Sequence, residues 1–246
     1  MAAVEDEVPL SGGRITQGVV RVGDTVRRPA GPASPFVACL LAHLTARGFT
    51  GAPRHLGRDA AGRDSFTYLH GWVSAGFRTW TDAQVRAAGT LLRGLHDATR
   101  DSPLTGSHPV VCHHDPGPNN TVFRDGLPVA FIDFDTAAPG DPLDDLGYLA
   151  WTWCVASKSG APPVTEQAAQ VRLLADAYGL DGLSRARLPD AMLDRQSRNA
   201  EWWRGQLGSG APRLGTEAQI AERIAWSRRE HAFTAAHRSV FGAALG

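Results

Sequence analysis

Lysine is nearly missing from this chain. Of its 246 residues one is Lys, Lys158, so almost every positive charge is an Arg. Any chemistry that needs an amine before position 158 has to find a guanidinium instead. The chain holds three Cys, at positions 39, 112 and 154, with no C-x-x-C spacing. An odd, scattered set argues against a disulfide framework or a zinc ribbon and for small buried residues in a reducing compartment. No apolar run approaches the ~20 residues a membrane span requires. The N-terminus, MAAVEDEVPL, carries acids and no basic region, unlike a secretory signal. Net charge is zero, which speaks against a broad nucleic-acid surface. These absences leave a cytoplasmic enzyme as the simplest class, with no membrane and no nucleic acid as partner. An ordinary apolar fraction of 43% supports one domain or two lobes.

Acids, an Asn and two His are concentrated between Val110 and Tyr148. Two alternating apolar runs, Thr121–Phe123 and Val129–Ile132, flank Arg124-Asp125-Gly126-Leu127. Asp-Gly between β-type runs signals a hairpin with a type I′ turn, because both central residues need φ > 0. With Asp125 and Gly126 as the turn, Asn120 is expected opposite Phe131, and Asp133 two further along on the same face. Diagonal neighbours sit roughly 7–8 Å apart, within joint reach of one cation. Asp115, just before the hairpin, can lean over the same spot. Asp, Asn and Asp are hard oxygen donors suited to Mg²⁺. A competing metal set is His113-His114-Asp115 as a hydrolase site; adjacent side chains in extended backbone point apart, which works against it.

His113-x-Asp115-x-x-x-x-Asn120, then Ile132-Asp133, then Gly140-Asp141-Pro142-x-x-Asp145-Leu146 resembles the aminoglycoside phosphotransferase and choline kinase-like family of the protein-kinase-like fold. The resemblance implies roles. Asp115 orients or deprotonates an acceptor hydroxyl, and Asn120 and Asp133 hold Mg²⁺ on the phosphates of ATP. His113 packs the loop, and Asp141 and Asp145 brace it from beneath. It also implies an α+β, two-lobe fold: residues 1–67 as a small antiparallel-sheet lobe with one helix, residues 68–246 as a mainly helical large lobe. ATP lies between them, and a hydroxylated small molecule is the acceptor.

Along the chain, Ser11–Gly18 is Gly-rich and resembles a phosphate-covering loop, without the G-x-G-x-x-G pattern. Val19–Val22 and Thr25–Arg28 are expected strands around Gly23-Asp24. The family's lysine position on the second strand is empty; Arg28, which shares a face with Val26, is nominated as the phosphate contact, with Arg27 as alternative. A helix is expected from Ser34 as N-cap, with Phe36, Cys39, Leu40, His43 and Leu44 inward. It contains no acid, so the usual Lys–Glu pair lacks both members, which keeps open a non-catalytic nucleotide- or ligand-binding relative. Ser65–Gly71 resembles the hinge: Phe66 behind adenine, the backbone of Thr67 and Leu69 at its edge. Thr81 is the expected cap of a helix ending in Leu95-His96-Asp97, with His96 a packing residue. Three helices, Thr165–Tyr178, Leu188–Gln206 and Thr216–Phe241, are expected, and the resemblance implies that they build the acceptor site. Trp202 and Trp203 point about 100° apart there and could wall a choline-type cage. From Asp145 onward ten Asp and Glu face twelve Lys and Arg, which tilts away from a polycationic acceptor.

Overall fold

The computed structural model describes residues 6–10, 18–76, 78–208 and 215–246. The Gly-rich run lies outside them up to Gly18. Strands β1 (Val8–Pro9), β2 (Val20–Val22) and β3 (Thr25–Arg28) precede helix α1 (Ser34–Ala46), and β4 (His55–Arg58) and β5 (Asp64–Thr67) follow it. Together they form one antiparallel sheet in the order β1-β2-β3-β5-β4. Val37, Leu40, Leu41 and Leu44 form the buried stripe of α1, at helical spacing. Cys39, expected inside, is exposed. Ser34 is not the N-cap; Ala33 is. The Ser34 hydroxyl instead accepts from the Gly31 amide at 2.9 Å and donates to Asp64 on β5, so tertiary partners draw it away from the helix end.

Next come β6 (Trp72–Val73), helix α2 (Asp82–Thr99), β7 (Val110–Cys112), β8 (Thr121–Arg124), β9 (Leu127–Phe131) and β10 (Ala138–Gly140). Thr81 caps α2 in a capping box with Gln84. Strands β6, β8 and β9 form one small sheet, and β7 pairs with β10. The rings of Trp72, Phe123, Trp80 and Trp153 stack in sequence with centroids 4.3, 5.0 and 4.9 Å apart, tying β6 and β8 to the helices. Each such pair adds about 0.5–1.5 kcal/mol beyond its burial.

The β8–β9 turn has the expected form, with Asp125 at φ 51° and Gly126 at φ 80°. Its register departs from expectation. Arg124 faces Leu127 and Phe123 faces Pro128, but Val122 then faces Ala130 and Thr121 faces Phe131. A bulge at Val129 shifts the ladder by one, beside a proline that has no N–H to give it. Asn120 therefore pairs with Ile132, whose amide donates to its carbonyl at 2.9 Å, and not with Phe131.

The rest is helical: α3 (Pro142–Cys154), α4 (Val164–Tyr178), α5 (Gly182–Gly208), α6 (Glu217–Ala236) and α7 (Arg238–Leu245). Helix α5 starts six residues before the expected Leu188 and carries Pro189 inside it. The single expected helix Thr216–Phe241 breaks at His237, at φ −113° and ψ 15°. Trp203 is buried with Ile220 and Ile224, while Trp202 is 45% exposed. Gly147 sets the distance between α3 and α5: a Cβ there would lie 2.6 Å from the Ala191 carbonyl oxygen. No helix of the described residues is long and apolar enough to cross a membrane.

Candidate functional site

Strand β7 is fully buried and delivers the chain into the loop that starts at His113. One tautomer of the His113 ring serves two bonds. Nε2 donates to the Ile132 carbonyl at 3.0 Å, and Nδ1 accepts from the Asp115 amide at 3.3 Å. The ring packs between Phe131 and Phe134 at 5.6 and 4.5 Å. The Thr136 hydroxyl donates to the His113 carbonyl at 2.9 Å. His113 thus links the loop to both sides of Asp133.

Asp145, on the first turn of α3, is completely buried and takes three donors. The amides of His113 and His114 each donate at 2.7 Å, one to each carboxylate oxygen, and His96 Nε2 donates at 3.0 Å. Burial works against its charge, but the His96 hydrogen bond and the nearby imidazoles outweigh it and hold the carboxyl down at about 2. His114 is held here at φ 62°, unusual for a residue with a Cβ. Asp141 acts one step back. Its Oδ1 accepts from the Leu143 amide at 2.9 Å, capping α3 in a box with Asp144, and so positions the helix that carries Asp145.

Asp115 and Asn120 meet directly. Asn120 Nδ2 donates to Asp115 Oδ2 at 2.8 Å and to the Asp115 carbonyl at 3.0 Å. That commits the amide nitrogen and leaves Oδ1, which accepts from Asn119 at 3.1 Å, as the oxygen donor. Burial pushes the Asp115 carboxyl up from its ordinary value, the Asp133 charge adds to this, and a Tyr148 hydrogen bond and the charges of His113 and Arg195 oppose it. Such a carboxylate, raised and half-buried, suits a general base.

Asp133 stands just past β9 at φ 64°, a left-handed conformation that costs on the order of 1–3 kcal/mol for a non-glycine residue. Its side chain is 39% exposed. Arg28 reaches it from β3, with Nη1 donating to Oδ1 at 3.1 Å, and also pairs with Asp135. A guanidinium bridging two carboxylates shows that this spot takes a cation, and its oxygen-only donors fit a hard divalent ion. Arg27 faces the other way, 3.9 Å from Asp59. Alternation along β3 thus separates the two arginines as period two requires.

The His113-His114-Asp115 set brings no three ligand atoms together. Among the described residues the one such gathering of His, Cys, Asp and Glu is His96, Cys112 and Asp145, all buried. It is a hydrogen-bonded brace: Cys112 Sγ donates to the Asp141 carbonyl at 3.2 Å, and burial pushes its thiol far up, away from the thiolate a metal needs. At the expected hinge, the Thr67 amide is already spent on the Arg54 carbonyl at 3.0 Å and the Tyr68 amide on Asp24 at 2.8 Å. Leu69 lies beyond the end of β5, outside the sheet. Phe66 is buried, edge-on to His55 at 5.4 Å.

Four residues join the site that sequence patterns did not single out for it: Asp135, Tyr148, Arg195 and His96. Arg195 Nη2 donates to the His114 carbonyl at 2.6 Å, and its guanidinium lies 4.8 Å over the Tyr148 ring. His96 was legible as a packing residue; nothing local points to Asp135, Tyr148 or Arg195.

With this geometry in view, comparison with known proteins is direct. A family model described as the phosphotransferase enzyme family matches residues 23–189. A trifolitoxin immunity protein of Rhizobium leguminosarum bv. trifolii is 34% identical over 266 aligned positions, spanning 98% of this chain and 100% of that one. A choline/ethanolamine kinase family protein from Mesorhizobium loti superposes with a TM-score of 0.64 at 20% identity, over 99% of this chain and 93% of its own. The amicoumacin kinase hAmiN, in complex with AMP-PNP, Ca²⁺ and Ami, superposes with a TM-score of 0.61 at 12% identity, over 92% and 87%. The fold is the two-part, protein-kinase-like α+β arrangement of these structures.

Proposed function

This chain belongs to the phosphotransferase enzyme family, and we propose that it moves the γ-phosphoryl group of ATP to a hydroxyl of a small molecule with the help of Mg²⁺. The observation that carries the proposal is the Asn120–Asp115 hydrogen bond, with Asp133 near enough for its charge to act on Asp115 and Arg28 reaching Asp133 from the small sheet. In this reading ATP lies between a small lobe, residues 1–67, and a large lobe, residues 68–246, with the Leu69 backbone at the adenine edge. The Thr67 amide is occupied by the Arg54 carbonyl, so it gives adenine no donor. Asn120 Oδ1 and the Asp133 carboxylate would hold Mg²⁺, which when bound neutralises phosphate charge. Arg28 offers its planar fork to the phosphates in place of a lysine. Asp115 accepts the proton of the acceptor hydroxyl and orients its oxygen. Asp145 and His113 keep that carboxylate where it is. The nucleotide analogue in the amicoumacin kinase complex supports ATP as donor. The amicoumacin kinase in complex with Ami supports a small-molecule acceptor, and the immunity protein's name is compatible with it.

The absent lysine and glutamate favour one rival, a relative that binds nucleotide without chemistry. Calorimetry with Mg·ATP, followed by phosphate transfer from labelled ATP to a panel of hydroxylated compounds, separates the two. Binding with transfer supports the proposal, binding without transfer supports the rival, and no binding removes both.

A further inference from the structure

We infer that Arg195 is the acceptor-side cation of this site and that it takes an anionic group, a carboxylate or phosphate, carried by the hydroxylated acceptor. The inference rests on the phosphotransferase reading and narrows its substrate class. Arg195 stands on α5, whereas Arg28 comes from β3 and binds Asp133 and Asp135. It touches the carbonyl of His114, the residue next to Asp115, and the ring of Tyr148, which itself reaches Asp115. A ligand that offers a hydroxyl to Asp115 from the helical side therefore passes Arg195.

The other arginines of this wall already have partners, including Arg223, whose charge also acts on Tyr148 and which lies 4.4 Å over the Trp203 ring. Arg198 holds Asp144 at 2.5 Å and Asp194 at 2.6 Å, Arg187 lies 3.7 Å from Asp141, and Arg238 holds Asp190 at 2.7 Å. Arg195 has no carboxylate within ion-pair distance among the described residues; it makes one bond to a carbonyl and stacks on one ring. A guanidinium has five N–H donors. Its Nε is buried and has no hydrogen-bond partner among the described residues; the same is true of Arg198 Nε, but two carboxylates meet the Arg198 charge and none meets that of Arg195. A buried charged donor left unmet is costly, and ligand oxygens would meet it. The same wall is ill suited to a polycation. Its acids Asp141, Asp144, Asp190 and Asp194 already carry arginines, and an ammonium group would stand beside an unmatched guanidinium.

The test is a ligand-observed NMR titration of the full chain with two series that share hydroxyls and differ in charge: glucosamine, glucose and glucuronate; and serinamide, N-acetylserinamide and N-acetylserine. In at least one series the anion should bind at least about tenfold tighter than its neutral partner, the size of one charge-assisted hydrogen bond. The preference should vanish in Arg195→Gln and weaken in Arg195→Lys, which keeps the charge and loses the fork. Where Arg195→Gln fails to fold by circular dichroism, Arg195→Lys carries the test. Equal binding, a preference for the cation, no binding by any member, or an anion preference untouched by these variants overturns the inference. Calorimetry with Mg·ATP on the same samples judges the phosphotransferase reading separately: an Arg195-dependent anion preference without Mg·ATP binding removes that reading and leaves the anion site.

Discussion

Arg28 and Asp133, 105 residues apart in sequence, are joined by a guanidinium-to-carboxylate hydrogen bond of 3.1 Å. The same guanidinium pairs with Asp135, so one cation from the small sheet holds both acids that follow β9. The phosphates of ATP offer the same kind of oxygen to the same fork. Arg28→Ala is therefore expected to weaken ATP binding more than Arg27→Ala, whose partner Asp59 lies on the other face. The loss should be larger for ATP than for adenosine, which lacks the phosphates. Calorimetry with both ligands checks this; equal losses would mean that Arg28 only supports the fold.

Asp133→Ala should abolish Mg²⁺-dependent nucleotide binding while the chain stays folded. The side chain is 39% exposed, so its removal opens no core cavity, and the left-handed φ of 64° adds only the modest backbone cost of Ala over Asp. Unchanged Mg·ATP affinity in a folded variant would take the metal away from Asp133.

Asp115→Asn keeps the shape of the side chain and removes the base. Nucleotide affinity should stay near the parent value while turnover falls by roughly 10²–10⁴-fold. Burial raises the Asp115 pKa, so the acid limb of kcat/KM should lie above the ordinary carboxylate range. Tyr148→Phe removes a donor that favours the ionised form and should move that limb further up. A limb that stays in place in Tyr148→Phe would detach Tyr148 from Asp115.

Asp145 links the loop to stability. Its carboxyl sits at about 2 in the folded chain against an ordinary 3.8. A depressed folded value means that its contribution is present above pH ~4 and is lost as pH falls toward ~2. The linkage is worth about 2 kcal/mol. Asp145→Ala, which strands the amides of His113 and His114, should cost about 3–5 kcal/mol in denaturant unfolding. Unfolding free energies of parent and variant that run parallel from pH 5 to about pH 2 would contradict the assignment.

Local chemistry was readable in the sequence where local chemistry decides. The Asp125-Gly126 turn, the Thr81 cap and the opposite facing of Arg27 and Arg28 each follow from residues a few positions apart. The β8–β9 register was misread because Val129 bulges after Pro128, a feature that period-two alternation does not contain. Ser34 was misread as a cap because its hydroxyl is claimed by Asp64, 30 residues on. The loop motif marked Asp115, Asn120 and Asp133, but not what holds them. His96 meets Asp145 across 49 residues and Arg195 meets His114 across 81, and only the close approach of α3 and α5 at Gly147 brings the latter pair together.

The central claim is phosphoryl transfer to a small hydroxylated molecule through Asp115. Mass spectrometry of a library of hydroxylated antibiotics and metabolites, incubated with Mg·ATP and either the parent chain or Asp115→Asn, tests it most directly. The parent should convert at least one member to a product heavier by one phosphoryl group, with ADP formed in step, and Asp115→Asn should not. No such product from any member, or equal yields from the two proteins, would contradict the account.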